Sequence, residues 1–394
     1  MDSGIAQKTA ILLASGGGFV FSLVLAKYWP PQNYATFISG FATASYFSFP
    51  ILYGLIPQVL RDRMAKSDIS LVKIVGLYKK FIFLYFIISI ILLFWISSNL
   101  TSFMQVGLVL ITILIVGIGE ASLRYKDKIN QVFYMRLLGI SLSLIVVALS
   151  IHLKSERTVV LSYFARIVPL SVVLSICYIV FRNNIKQPKT EIVQVPRGKP
   201  GGIADATIIT MIVGVFQYVF LIIGKEVIPA QEFIPISIEL MISITVCQKL
   251  IEPQVFRLYL LPGETRTLAS TINLIKRNKL SFVELPVLAF FAQLVSLLWL
   301  GDVIDYFSVL LFSVGSALVS VAHFLHSSTF VNSSGFRISI ISIFIFTPML
   351  IAMVYLKNVL NLQSSYLIMA AIYLVVVLLN YPRIEMVDMQ QNLS

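Results

Sequence analysis

Charge is scarce in this chain. Asp, Glu, Lys and Arg make up 12% of its 394 residues, about half the roughly one quarter that a wet globular surface needs. An ordinary soluble domain is excluded, because most of such a surface must face something other than water. Cysteine is nearly absent: Cys177 and Cys247 both sit in apolar runs and offer neither a disulfide framework nor metal-ligand spacing. No long polar stretch leaves room for a soluble domain. A Gly-rich phosphate loop, a Cys/His metal set and a nucleophile elbow are all missing. Acids are outnumbered, 18 against 30 bases, for a net charge of +12.

What the chain has instead is apolar length. Hydrophobic residues reach 58% and the mean hydropathy is +0.91. Runs of about 20 apolar residues suffice to cross a hydrocarbon core roughly 30 Å thick. They are too long for barrel strands, which alternate over ~10 residues. In lipid the backbone must bond internally, so these runs are helices. The expected fold class is all-α integral membrane, with about twelve spans. They are expected near 9–27, 36–60, 81–97, 103–121, 137–153, 158–181, 203–224, 233–250, 281–300, 306–330, 337–356 and 363–381. Thr9 to Lys27 lacks a small-residue cleavage site and reads as the first span.

The charge of the loops sets the expected orientation. Loops after even spans are the longer ones and are basic. Loops after odd spans are short, and Ser97 to Ser102 and Gly301 to Asp305 have no Lys or Arg. With both termini in the cytoplasm, 24 of the 30 cationic residues fall inside and five outside, while Arg166 lies within a span. Lys and Arg near span ends stay cytoplasmic. The bases are scattered over five short loops and form no single patch, so no nucleic-acid partner is expected.

The chain also repeats. Pro57-Gln58-Val59-Leu60-Arg61 ends the second span, and Pro253-Gln254-Val255-Phe256-Arg257 follows the eighth. Lys27 to Tyr34 closes the first span as Lys225 to Phe233 closes the seventh, with a small gap between the two registers. The stretch 182–202 carries Pro188, Pro196, Pro200 and Gly201-Gly202 and reads as a cytoplasmic linker. It would join an N-terminal six-helix lobe, 1–181, to a C-terminal one, 203–394. An even number of spans per lobe makes the repeat parallel. Transporters built this way bind substrate between the halves and rock one against the other.

The first 65 residues resemble a known family. A first span bearing Gly16-Gly17-Gly18 is followed by Ala26-Lys27 and a short turn, Pro31 to Tyr34. The second span then ends in Tyr53-Gly54-Leu55 and Arg61. The pattern looks like the start of polysaccharide (O-antigen, Wzx-type) flippases of the multidrug/oligosaccharidyl-lipid/polysaccharide (MOP) exporter superfamily. Where that family often has Leu-Gly before the proline and Gly after the tyrosine, this chain has Trp29-Pro30 and Ala35. The resemblance implies a MATE-like fold of two parallel six-helix lobes around a cationic cavity. It implies that undecaprenyl-pyrophosphate-linked glycan is moved from the cytoplasmic to the periplasmic leaflet of a bacterial inner membrane. It further implies coupling to a proton or sodium gradient with no bound cofactor. The implied partners are membrane lipids, a polysaccharide polymerase and a chain-length regulator.

Ionisable groups inside spans cost about 2.5–3.5 kcal/mol each at a helix centre and need a partner or a watery cavity. Arg166 is the first candidate contact for a pyrophosphate, which a guanidinium matches with paired donors; a structural ion pair is the alternative. Glu239 is a candidate coupling or gating group, by pairing with Arg166 or by carrying a proton. His323 and His326, three apart on one helix face, suit a proton or phosphate contact, or plain packing. Lys27 and Lys225 occupy equivalent repeat positions at the outer mouth, where snorkelling explains them as well. Arg61 and Arg257 are their counterparts at the cytoplasmic mouth. Gly16, Gly17 and Gly18 would let the first span bend, and Gly214 the seventh. Gln217 and Gln293 would bond sugar hydroxyls or neighbouring helices. No residue reads as catalytic. Two other functions compete: a cation-coupled multidrug antiporter of the same architecture, and a membrane polysaccharide polymerase, for which the short outer loops leave little room.

Overall fold

The computed structural model describes residues 20–55, 202–249, 284–301, 304–329, 333–356 and 361–381, with scattered helical positions between 87 and 148. Every described element is a helix. A first helix, α1, occupies 20–28. It is followed by α2, Pro31–Phe49, which runs on into a π-helical stretch, Pro50–Leu55. The seventh predicted span is α3, Gly202–Gly214, a π-helical stretch, Val215–Val219, and α4, Phe220–Val227. Then come α5, Ala230–Lys249; α6, Glu284–Leu300; α7, Tyr306–Ser328; α8, Ser333–Tyr355; and α9, Leu362–Asn380. Among the described residues six helices are long and apolar enough to cross a membrane, and α6 is a shorter apolar helix.

Local chemistry explains where these helices begin. Pro31 opens α2 after Pro30, which holds an extended φ/ψ of −58°/137°. Proline is preset for the first helical turn, and the N–H it lacks would be unpaired there anyway. The sequence pattern alone starts this span at 36, because Pro-Pro-Gln-Asn-Tyr has the composition of a loop. The same bias delays α5, which starts at Ala230, directly after Pro229, rather than at 233. The Asp305 carboxylate caps α7 by accepting from the Phe307 N–H at 3.1 Å. Asn361 caps α9 by accepting from the Gln363 N–H at 2.8 Å. Gly301, with φ of 79°, ends α6 in the left-handed region that favours glycine.

The two halves of the sequence meet through α2. It packs along α3, the second π-helical stretch, α4 and α5. At mid-span the Phe49 and Tyr218 rings meet edge to face, 5.7 Å between centroids. A Cβ on Gly214 would lie 3.0 Å from the Tyr46 ring, so this glycine lets the two helices close. Just beyond α3, the π-helical stretch and the start of α4 carry an aromatic cluster. Phe216 stacks on Phe220 and Tyr373 and meets Phe346 and Tyr366 edge-on. Each such ring pair adds about 0.5–1.5 kcal/mol beyond its buried area. Outward faces are apolar: Phe291, Val295 and Leu298 of α6 and Phe344 of α8 are exposed, as lipid contact requires.

Candidate functional site

Two places gather the chemistry. The first is the junction between the halves at the end that carries the Trp29-Pro30 turn. Here α1 stops at 28 and α2 restarts at Pro31, so Lys27 and Tyr34 stand on either side of a two-residue break. The Lys27 ammonium donates to the Trp299 carbonyl oxygen at 3.0 Å and lies over the Trp299 indole, 4.3 Å from its centroid. No carboxylate pairs with Lys27 among the described residues. Tyr34 is fully buried, and its hydroxyl shares a 3.1 Å hydrogen bond with the Ser237 hydroxyl of α5. Both contacts tie the first half of the sequence to the second, across separations of 272 and 203 residues.

The second place is a buried polar column inside the second half. Glu239 of α5 is 2% exposed and accepts a 2.5 Å hydrogen bond from the Ser308 hydroxyl of α7. One turn deeper, the Gln293 amide of α6 donates to the hydroxyls of Ser243, at 2.8 Å, and Ser313, at 2.7 Å. Its carbonyl oxygen is buried with no hydrogen-bond partner among the described residues. Those two serines donate to their own helices, to the Glu239 and Val309 carbonyls. Farther along, Ser316 bonds the Tyr366 hydroxyl at 2.9 Å. His326 ends the column, its Nδ1 on the Tyr373 hydroxyl at 2.8 Å and its Nε2 on the Ser339 hydroxyl at 3.2 Å.

The two places share α5 but not a face. Ser237 and Glu239 are two residues apart, about 200° around the helix. Ser237 faces α2, while Glu239 faces α7.

Of the residues singled out in sequence, Lys27 reaches the junction and Glu239 the column. His323 is buried on α7 beside the end of the column. Lys225 is half-exposed and pairs with its neighbour Glu226 at 3.5 Å. Gln293 bonds neighbouring helices, the second of its two expected roles. Gln217 is buried within the π-helical stretch of span seven. Gly16, Gly17, Gly18, Arg61, Arg166 and Arg257 lie outside the described residues.

The repeat register differs by one from that expected from sequence. Trp29 donates its N–H to the Leu25 carbonyl at 3.0 Å, and Ile228 to Gly224 at 3.0 Å. Tyr34 donates to Pro30 at 3.1 Å, and Phe233 to Pro229 at 2.9 Å. The turns therefore match at an offset of 199, which sets Lys27 against Glu226 and Lys225 against Ala26. One residue is about 100° of helix, so the two lysines face different ways. Trp299, Ser237, Ser308 and Tyr373 carry no signal in sequence. Each looks there like an ordinary membrane-interface aromatic or a helix hydroxyl, and only the packing supplies its partner.

No protein-family model matches the chain, and neither does any curated protein. Solved structures match over nearly its whole length. A MATE transporter in complex with MaL6 aligns at 10% identity and a TM-score of 0.61, covering 96% of this chain and 94% of that one. A multidrug resistance MATE family transporter of the MOP superfamily, in an outward-facing conformation, aligns at 12% and 0.61, covering 96% and 93%. A MOP superfamily transporter from Pyrococcus furiosus, described as having a binding pocket of reverse polarity, aligns at 10% and 0.62, covering 96% and 94%. The fold is that of MATE and MOP superfamily transporters. It is a multi-pass membrane protein fold with several apolar helices.

Proposed function

We propose that this protein is a flippase for an anionic lipid-linked oligosaccharide. The cargo we infer is undecaprenyl-pyrophosphate-linked glycan, carried from the cytoplasmic to the outer leaflet of a bacterial inner membrane by alternating access. The observation that carries the reading is the sign and direction of charge between the halves. Among the described residues, Lys27 stands at the junction without a carboxylate. Glu239, the one buried acid among them, turns away from the junction towards Ser308. A path for organic cations needs acidic groups facing it, whereas a pyrophosphate needs donors and positive charge. The Wzx-like pattern of the first 65 residues supports the same cargo.

The multidrug antiporter is the rival, because its supporting observation is the likeness to MATE structures. Both readings use Glu239 as a group that takes up a proton or cation inside the second half, apart from the cargo.

Deletion of the gene tests the reading. Lipid-linked repeat units should accumulate on the cytoplasmic face while sensitivity to cationic drugs stays unchanged. Normal surface polysaccharide after a clean deletion sinks the flippase. At the residue level, Arg166→Ala should abolish transport and Arg166→Lys should keep part of it. Equal activity of the two would make Arg166 structural.

A further inference from the structure

From the junction geometry we propose that Lys27 is the trigger of an outer clasp, released when an anionic phosphate group draws its ammonium off Trp299. The clasp has two contacts, Lys27 on the Trp299 carbonyl and ring, and Tyr34 on Ser237. Both join the first half to the second at the end that the loop charges place outside. Moving the halves apart there breaks both.

The Lys27 contact is built to be exchanged. An ammonium has three donors, and Trp299 takes one of them through a neutral carbonyl. The ring adds attraction without neutralising the charge. Lys27 is also exposed, so an anion can reach it without first unpacking the helices. The carbonyl offers the ammonium only a dipole, whereas a phosphate oxygen brings a full negative charge and a Coulomb attraction between opposite charges. Phosphate thus outcompetes the carbonyl, whereas a carboxylate partner would have held the lysine. Lys225 shows the contrast: Glu226 already answers its charge. Tyr34 is the second half of the clasp. It is buried and uncharged, so no ligand addresses it directly, and it opens only after Lys27 has let go.

The clasp rests on the anionic-cargo reading but has its own test. Spin labels are placed at Tyr28→Cys and Tyr355→Cys, both exposed at the outer end, one from each half of the sequence. Cys177 and Cys247 are replaced by Ser, and the full chain is held in lipid nanodiscs. The probe is inorganic pyrophosphate, against sodium chloride at equal ionic strength. Pyrophosphate should lengthen the inter-label distance by roughly 5 Å, the shift at the far end of a 30 Å helix tilted by about 10°. Lys27→Met should lengthen it without ligand and erase the response, while Lys225→Met should leave both as they were. No lengthening with pyrophosphate overturns the proposal, and so does a normal response in Lys27→Met. If the distance responds but the deletion strain makes normal polysaccharide, the cargo reading falls and the clasp stands. If lipid-linked units are stranded but the distance never responds, the clasp falls and the cargo reading stands.

Discussion

The turn at Trp29-Pro30 and the turn at Ile228-Pro229 share one backbone and do different work. Each stops a helix, uses two residues, and restarts it with a first turn whose fourth residue is an aromatic that returns its N–H to the proline carbonyl. In the first turn the side chains reach outward: Lys27 to Trp299 and Tyr34 to Ser237, both in the other half. In the second they stay local. Lys225 meets Glu226, and the Phe233 ring lies against Gly224, where a Cβ would come within 3.0 Å of it. Leu25 is the counterpart of Gly224, and Ile38 the counterpart of Ser237. The two turns thus share a backbone geometry, and polar side-chain contacts to the other half lie at the first.

Four sets of substitutions break or sharpen that contrast. Gly224→Leu gives the second turn the first turn's side chain, against Phe233 and Leu362. Overpacking of this kind costs about 3 kcal/mol, which thermal unfolding in detergent should show as the largest loss of the set. Phe233→Tyr adds a hydroxyl at a fully buried position, and the residue that the repeat sets opposite it, Ile38, has no acceptor side chain. An unpaired buried hydroxyl costs about 2 kcal/mol. Adding Ile38→Ser should recover most of that loss in the same melts and build a second tie between the halves. Tyr34→Phe removes the existing tie and should cost about 1 kcal/mol, while raising the outer-open fraction in the spin-label measurement. Lys27→Met should cost about 0.5 kcal/mol for the lost ring contact. Lys225→Met should fall near zero, as exposed ion pairs do. If the two lysine variants melt and open alike, the asymmetry between the turns has no functional weight.

A separate substitution tests the column. Glu239→Gln keeps an oxygen to accept from Ser308, so folding should hold. Transport driven by an imposed ion gradient should be lost, and vesicle uptake assays with and without the gradient read this directly. Unchanged gradient dependence would remove Glu239 from coupling.

The spans among the described residues are legible in sequence because length and hydropathy are local properties. Pro-Pro-Gln-Asn-Tyr is also local, yet its composition misleads: the second proline belongs to the helix, and only the first interrupts it. The π-helical stretches at Pro50–Leu55 and Val215–Val219 leave no mark in the hydrophobic pattern. The first sits where the first half carries extra length, since the repeat offset is 199 at the turn but 196 at the Pro-Gln-Val-x-Arg. The wider π turn takes more residues per unit rise than an α turn. The column is half legible. Glu239, Gln293 and the two histidines stand out in apolar runs, but Ser243, Ser308 and Ser313 do not. Serines in membrane helices commonly satisfy themselves on the preceding turn, as Ser313 does on Val309. Their outward lone pairs gain meaning only when a donor such as Gln293 is packed against them.

Gly301 stops α6 two residues after Trp299, in a backbone conformation, φ 79°, that favours glycine. The carbonyl that Lys27 holds therefore sits where that turn ends the helix. A side chain at 301 would find open space around its Cβ, yet it would resist the torsion. That strain would fall on the last turn of α6, where the two halves are tied.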